Sequence, residues 1–112
     1  MSAGGCVAVL VIDLHFPEAG SLKGKRKELS SIKAQLHGRL GAAVAEVDHH
    51  DRWQRATLVA AITGGSLTRL SASVDNIERW LEARCPDGVR LERVLASVDE
   101  LQDLVPAFGD EG

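Results

Sequence analysis

Eight consecutive residues carry side chains of the types that bind metals, move protons or stack on nucleic-acid bases. They are Asp48-His49-His50-Asp51-Arg52-Trp53-Gln54-Arg55. Two imidazoles and two carboxylates are possible metal ligands. However, adjacent side chains of an extended segment point to opposite faces, so His49 and His50 cannot easily chelate one ion. We therefore predict no metal site and no cofactor here.

The same segment supports three other interpretations. A carboxylate beside a histidine could form an acid–base pair, but no serine or cysteine nucleophile is placed next to it, and we predict no catalytic residue. In a structural interpretation, Trp53 packs over the end of the core and the carboxylates pair with neighbouring cations. In a nucleic-acid interpretation, Trp53 and the histidine rings offer stacking surfaces and Arg55 contacts a phosphate.

A second segment places positive charge where a helix begins. It reads Ser21-Leu22-Lys23-Gly24-Lys25-Arg26-Lys27. Positive charges at a helix N-terminus oppose the helix dipole, so we expect either a bound anion or an internal carboxylate, with Glu46, Asp48 and Asp51 as candidates. A solvated helix face balanced by nearby acids is the alternative. The segment is not a P-loop, because the glycine spacing is one residue short and the hydroxyl for magnesium is missing.

Hydrophobic periodicity predicts the elements that position these two segments. The expected strands are 6–16, 43–48, 55–63 and 89–98, and the expected helices are 22–40 and 67–84. We expect Ser21 to cap the first helix and Gly41 to end it. This order predicts an α+β fold, a ferredoxin-like β-α-β-β-α-β sandwich with two helices on one face of a four-stranded antiparallel sheet. We assign residues 1–98 to this domain and 99–112 to an acidic tail that we expect to fray.

The predicted strand directions bring the two charged segments together. Residues 16–26, 48–55 and 84–90 all connect elements at one end of the sheet, here called the top. The sheet face without helices is predicted to be rich in valine, and its members are Val7, Val9, Val11, Val44 and Val59. So much exposed aliphatic surface predicts a homo-oligomer that uses this open face or an edge strand.

Bulk composition limits the classes of protein that fit. The chain has 112 residues, 45% hydrophobic and 26% charged, which is typical of one globular domain. Its net charge of −3 is unlike that of a generic nucleic-acid binder, so any such role must be local to one patch. Two cysteines make no disulfide framework. The longest apolar run is too short to span a membrane and the start lacks a basic signal-peptide region, so we expect a cytoplasmic protein.

Several quoted motifs resemble one known family. They are Phe16-Pro17-Glu18-Ala19, Ser21-Leu22-Lys23-x-Lys25-Arg26, and Ala45-Glu46-Val47-Asp48-His49-x-Asp51-x-Trp53-Gln54-Arg55-Ala56. The resemblance is to the YlxP-like family of small bacterial proteins of unknown function and covers roughly residues 6–98. The resemblance implies a ferredoxin-like fold and a gene that commonly neighbours those for translation initiation and ribosome-maturation factors. It implies no enzyme activity. Gly24 departs from the family pattern, which has a larger and often acidic residue there.

Three hypotheses about function follow. The leading one is a non-enzymatic accessory factor that binds RNA or the ribosome through the top. Its expected nucleic-acid or anion-binding residues are Ser21, Lys23, Lys25, Arg26, His49, Trp53, Gln54 and Arg55. The first alternative is a small-anion or phosphometabolite-binding protein or enzyme that uses Asp48, His49 and Asp51 as acid/base or ion-pair groups. The second is a structural oligomeric adaptor that acts through the open face.

Overall fold

Four strands and two long helices alternate in the order that the hydrophobic periodicity predicts, and a short helix follows them. The computed structural model describes residues 4–86 and 88–104. The elements are β1 (Cys6–His15), α1 (Leu22–Leu40), β2 (Ala43–Asp48), β3 (Arg55–Gly64), α2 (Leu67–Arg84), β4 (Val89–Ser97) and α3 (Val98–Leu104). The strands form one sheet in the order β2-β3-β1-β4, and every neighbouring pair is antiparallel. The predicted ferredoxin-like α+β fold is confirmed.

The core lies between α1, α2 and one face of the sheet. Alternate residues of β1 point into it, and Ala8, Leu10 and Ile12 are completely buried. The helices contribute apolar residues spaced three or four apart, because that spacing keeps side chains on one helix face. These are Leu29, Ile32 and Leu36 from α1 and Leu70, Val74, Ile77 and Leu81 from α2.

Helix α1 begins and ends at the two residues that the sequence predicts, Ser21 and Gly41. The Ser21 hydroxyl accepts the backbone N–H of Gly24 at 3.1 Å, which satisfies one of the unpaired donors at the helix start. Gly41 follows the last turn with a left-handed φ of 67°, a conformation that glycine adopts without a Cβ penalty. These two boundaries fix where the basic first turn of α1 lies.

One residue predicted for the open sheet face lies on the other face. Val44 pairs with Ala60, and Ala60 pairs with the buried Leu10, so Val44 packs against the core beneath the helices. Residues directly opposite each other in an antiparallel pair share a face. The prediction for Val44 was therefore wrong, whereas Val59 pairs with Val11 on the open face as expected.

The chain continues past β4 as a helix rather than fraying at once. Ser97 and Glu100 form a reciprocal cap at the start of α3: Glu100 N–H donates to Ser97 Oγ at 3.1 Å, and Ser97 N–H donates to Glu100 Oε1 at 3.0 Å. The rest of the predicted tail, 105–112, lies outside the described residues. In the part of the chain that the structure describes, no helix is long and apolar enough to cross a membrane.

Candidate functional site

Three chain connections meet at the top of the sheet, as the strand directions predict. The backbone N–H of His15, the last residue of β1, donates to the carbonyl of Gly88 at 2.9 Å. The next residue, Phe16, donates to the carbonyl of Gln54 at 2.8 Å. The β1–α1, β2–β3 and α2–β4 connections are thus joined by main-chain hydrogen bonds into one surface.

Lys25, predicted to contact an anion, is instead a buried structural residue. Only 1% of its side chain is exposed. Its ammonium donates to the backbone carbonyl of His49 and lies 3.3 Å from Glu46 Oε2. Lys25 is therefore not available to a ligand at the surface, and the internal carboxylate that we considered as the alternative is Glu46.

A sequence signal for this burial exists. Lys25 lies four, seven and eleven residues before Leu29, Ile32 and Leu36, so it continues the buried stripe of α1. This spacing alone does not predict burial, because lysine is almost never fully buried unless it is paired. The partner, Glu46, is on β2, and periodicity within α1 carries no information about it.

The β2–β3 connection is a tight turn held mainly by its own backbone and by Lys25. His49 has a left-handed φ of 63°, which is uncommon for a residue other than glycine. Its N–H donates to Asp48 Oδ1 at 2.7 Å, and its carbonyl accepts both Lys25 and the N–H of Arg52, the latter at 3.1 Å. Main-chain atoms of His49 thus set the direction in which Arg52 and Trp53 leave the turn.

An open groove of about 660 Å³ lies at the top, between this turn and the end of β1. Its lining residues are His15, Pro17, Asp51, Arg52, Trp53, Gln54 and Arg55. Trp53 is 53% exposed, so it does not cover the core as the structural interpretation predicted. Gln54 Nε2 donates to the carbonyl of Pro17 at 3.2 Å and thereby ties the two walls together.

The remaining predicted residues are distributed around the groove. Lys23 and Arg26 are exposed in the first turns of α1 but do not line it, and the Ser21 hydroxyl is already occupied as the helix cap. Asp48, which is also exposed, lies 3.8 Å from His49 Nε2, and neither of these two residues lines the groove. Three groove residues were not among the predicted site residues: Arg52 belongs to the charged segment Asp48–Arg55, His15 ends β1, and Pro17 lies in the connection that follows β1.

A smaller cavity of about 380 Å³ lies between the β1–α1 connection and the end of α2. Arg84 in its wall donates to Glu28 at 3.3 Å and to Ser31 at 3.1 Å, so its guanidinium connects α2 to α1. Burial raises the pKa of the neighbouring Cys85 thiol, which keeps the thiol protonated and weakens it as a nucleophile. These groups hold the helices together.

The chemistry of the groove is that of a binding surface. An exposed indole can stack on a flat ring, and Arg52 and Arg55 can contact a phosphate beside it. Among the described residues, the groove lining contains no serine, threonine or cysteine. The same part of the chain holds no group of three or more His, Cys, Asp or Glu side chains that could ligate a metal.

The fold and the groove together define a small ferredoxin-like α+β protein with an open, aromatic and basic candidate site. Residues 7–98 match the family described as "Protein of unknown function (DUF503)", and the chain belongs to that family. No curated protein matches the chain.

Three designed proteins are among the similar solved structures. The de novo designed protein Foldit4 is 12% identical, with a TM-score of 0.51 over 82% of this chain and 96% of that chain. The designs Ferredog-Diesel and LFR1 1, the latter titled as having a ferredoxin fold, have TM-scores of 0.38 and 0.37 at 17% and 13% identity. They cover 82% and 80% of this chain, and 88% and 83% of their own. At such identities only the likeness to Foldit4 is close enough to bear on the fold, and it bears on nothing else.

Proposed function

We propose that this protein is a non-enzymatic, cytoplasmic factor that binds single-stranded RNA in the groove at the top. The observation that carries the proposal is the half-exposed indole of Trp53 in a groove that also contains Arg52 and Arg55. Stacking on an aromatic ring tolerates any base, and guanidinium groups supply the phosphate contacts. A single such patch is compatible with the acidic net charge, since the contacts are local.

Ribosomal RNA is the RNA that we propose as the natural ligand. The support is the resemblance of the chain to the YlxP-like family, whose genes commonly neighbour those for translation initiation and ribosome-maturation factors. Lys23 and Arg26 extend the basic surface along the first turns of α1, where both are exposed. Lys25 is not part of the proposed surface because it is paired with Glu46.

The test compares two matched double variants by fluorescence anisotropy with a labelled single-stranded fragment of ribosomal RNA. Arg52→Ala/Arg55→Ala removes two charges from the groove. Arg39→Ala/Arg69→Ala removes two exposed charges at the opposite end of the molecule, where α1 ends and α2 begins. We expect the groove variant alone to bind several-fold more weakly. Its salt dependence between about 50 mM and about 200 mM should also be flatter, by about 0.7 in log–log slope for each phosphate that the variant no longer binds.

Trp53→Ala tests the stacking half of the proposal separately. Loss of one stacked base is worth about 1–3 kcal/mol, so the dissociation constant is expected to rise by about 5- to 150-fold. The salt dependence is expected to stay unchanged, because the indole carries no charge. Equal affinity of the wild-type protein, the groove variant and Trp53→Ala would show that RNA does not use the groove.

A further inference from the structure

The sheet face opposite the helices presents a continuous apolar surface of small side chains. The strand register places nine alanine and valine residues on it in three rows, and we call this set the valine face. Its members are Val7, Val9, Val11, Ala43, Ala45, Val59, Ala61, Val94 and Ala96. Val9 is 38% exposed and Val94 67%, so the centre and one edge of the surface are open to water.

The open side of the sheet, which consists of the valine face and the polar residues around it, is large enough for a specific interface. The four strands have ten, six, ten and nine residues. With about 3.3 Å per residue and about 4.8 Å between strands, the sheet measures roughly 30 by 20 Å. If a partner covered this side of the sheet, each of the two partners would bury on the order of 600 Å². The total of about 1,200 Å² is the lower limit of the size of specific protein interfaces.

A charged row borders the valine face on the side of the top. From the β2 edge to the β4 edge, the row reads Asp48, Thr57, Asp13 and Arg90. The Thr57 hydroxyl donates to Asp13 Oδ1 at 2.6 Å. The row has an acidic residue at one edge and a basic residue at the other. Two copies of the row are therefore complementary in charge when they face each other in opposite order.

Only one direction of a two-fold axis uses this complementarity. A half-turn about an axis parallel to the strands lays the β2 edge of one copy over the β4 edge of the other. Asp48 then faces the partner copy's position 90, and the apolar rows face each other. An axis across the strands would instead press the charged row onto Val7 and Ala96, which would desolvate its charges without a partner.

We propose that a second copy of this chain covers the valine face, related by a two-fold axis parallel to the strands. Valine and alanine make up most of the two facing surfaces, so the sheets can approach to the usual separation of a β-sandwich, about 10 Å. Glu92, the charged residue among the apolar rows, lies on the edge strand β4, where water reaches it. The arrangement brings the tops of both copies to the same end and the two grooves side by side.

Sedimentation velocity of the protein without RNA tests the proposal independently of the groove. The wild-type protein is expected to be a dimer at micromolar concentration. Val9→Lys, at the centre of the valine face, is expected to give a monomer. Leu67→Lys introduces the same charge at an exposed leucine on α2, which is 42% exposed and outside the face, and is expected to leave the dimer intact. A monomeric wild-type protein would overturn the proposal, even if a different protein were found to bind the valine face.

Charge reversal tests the direction of the axis. Asp48→Lys and Arg90→Glu are each expected to raise the dimer dissociation constant by about tenfold or more, because each sets like charges opposite one another. The double variant is expected to restore the dimer, since the pair is then reversed. Damage to the turn that follows Asp48 could not be repaired by a change at Arg90, so rescue separates pairing from folding. A dimer that is not rescued in the double variant would overturn the proposed axis.

Discussion

We expect the substitution Lys25→Met to destabilise the protein. The loss should be larger than for the same substitution at any other lysine in the first two turns of α1. Methionine keeps an unbranched side chain in the buried stripe but removes the ammonium group. The His49 carbonyl then has one donor instead of two. The buried Oε2 of Glu46, which has no hydrogen-bond partner among the described residues, loses the cation 3.3 Å away.

The size of the effect follows from the burial of the two partners. Removal of one member of a fully buried ion pair costs about 3–5 kcal/mol, because the remaining charge is left without compensation. The Glu46 side chain is 17% exposed, so water can reach part of its carboxylate and reduce that cost. We therefore expect the free energy of unfolding to fall by about 2–3 kcal/mol, a large share of the roughly 5–15 kcal/mol typical of a domain.

Urea unfolding followed by circular dichroism measures this change directly. Lys27→Met is the matched control, because Lys27 is exposed on the same helix and the substitution removes the same charge. We expect the control to change the free energy of unfolding by less than about 0.5 kcal/mol. Amide hydrogen exchange at residues 49–52 should also be faster in Lys25→Met, because the turn is then no longer tied to α1.

The double variant Lys25→Met/Glu46→Met separates the two contributions to the cost. Replacement of a buried pair by apolar residues of similar volume is often neutral or stabilising. The double variant should therefore recover most of the stability that the single variant loses. Two results would contradict this account. One is a Lys25→Met variant that is as stable as Lys27→Met. The other is a double variant Lys25→Met/Glu46→Met that is less stable than Lys25→Met alone.

Three further predictions concern the ends of the sheet. A Cβ at Gly88 would lie 2.7 Å from His15 Cβ, so Gly88→Ala should lower stability by about 1–3 kcal/mol in thermal melts; an unchanged melting temperature would contradict this. Burial raises the pKa of the Cys85 thiol above its usual 9.0, so iodoacetamide should alkylate this thiol more slowly in the native protein than in urea. Because the folded protein holds this proton more tightly than the unfolded chain does, the free energy of unfolding should fall as pH rises above 9.0. The N–H and hydroxyl of Ser97 lower the pKa of the Glu100 carboxyl below 4.5. The ionised carboxylate should therefore stabilise α3 above pH 4.5, and this stabilisation should be lost as pH falls further. Hydrogen exchange of α3 in the wild-type protein and in Glu100→Gln measures the loss.

Local patterns were sufficient to predict the elements, most of the faces and the meeting of the two charged segments. The alternation of β1 predicted Ala8, Leu10 and Ile12 in the core, because successive strand residues point to opposite faces whatever surrounds them. Ser21 and Gly41 marked the limits of α1 because capping depends on adjacent backbone alone. The order of elements then determined which connections share one end.

The capping box of α3 was present in the sequence as Ser97 followed three residues later by Glu100. The acidic composition after residue 98 instead favoured a frayed tail. The groove was predicted in part: Trp53 and Arg55 line it, but so do His15, at the end of β1, and Pro17, in the connection that follows. Their contribution depends on hydrogen bonds between connections that are distant in sequence.

The basic segment that begins α1 shows most clearly what the tertiary structure alone decided. The sequence by itself determined that positive charge lies at a helix start and requires compensation. Which lysine is compensated, and by what, depended on the pairing of β2 with β3, which brings Glu46 and the His49 carbonyl beneath the helix. The same register placed Val44 on the core face, because a β-bulge between Glu46 and Asp48 shifts the pairing by one residue. Such shifts depend on contacts between strands, and the alternation within one strand does not contain them.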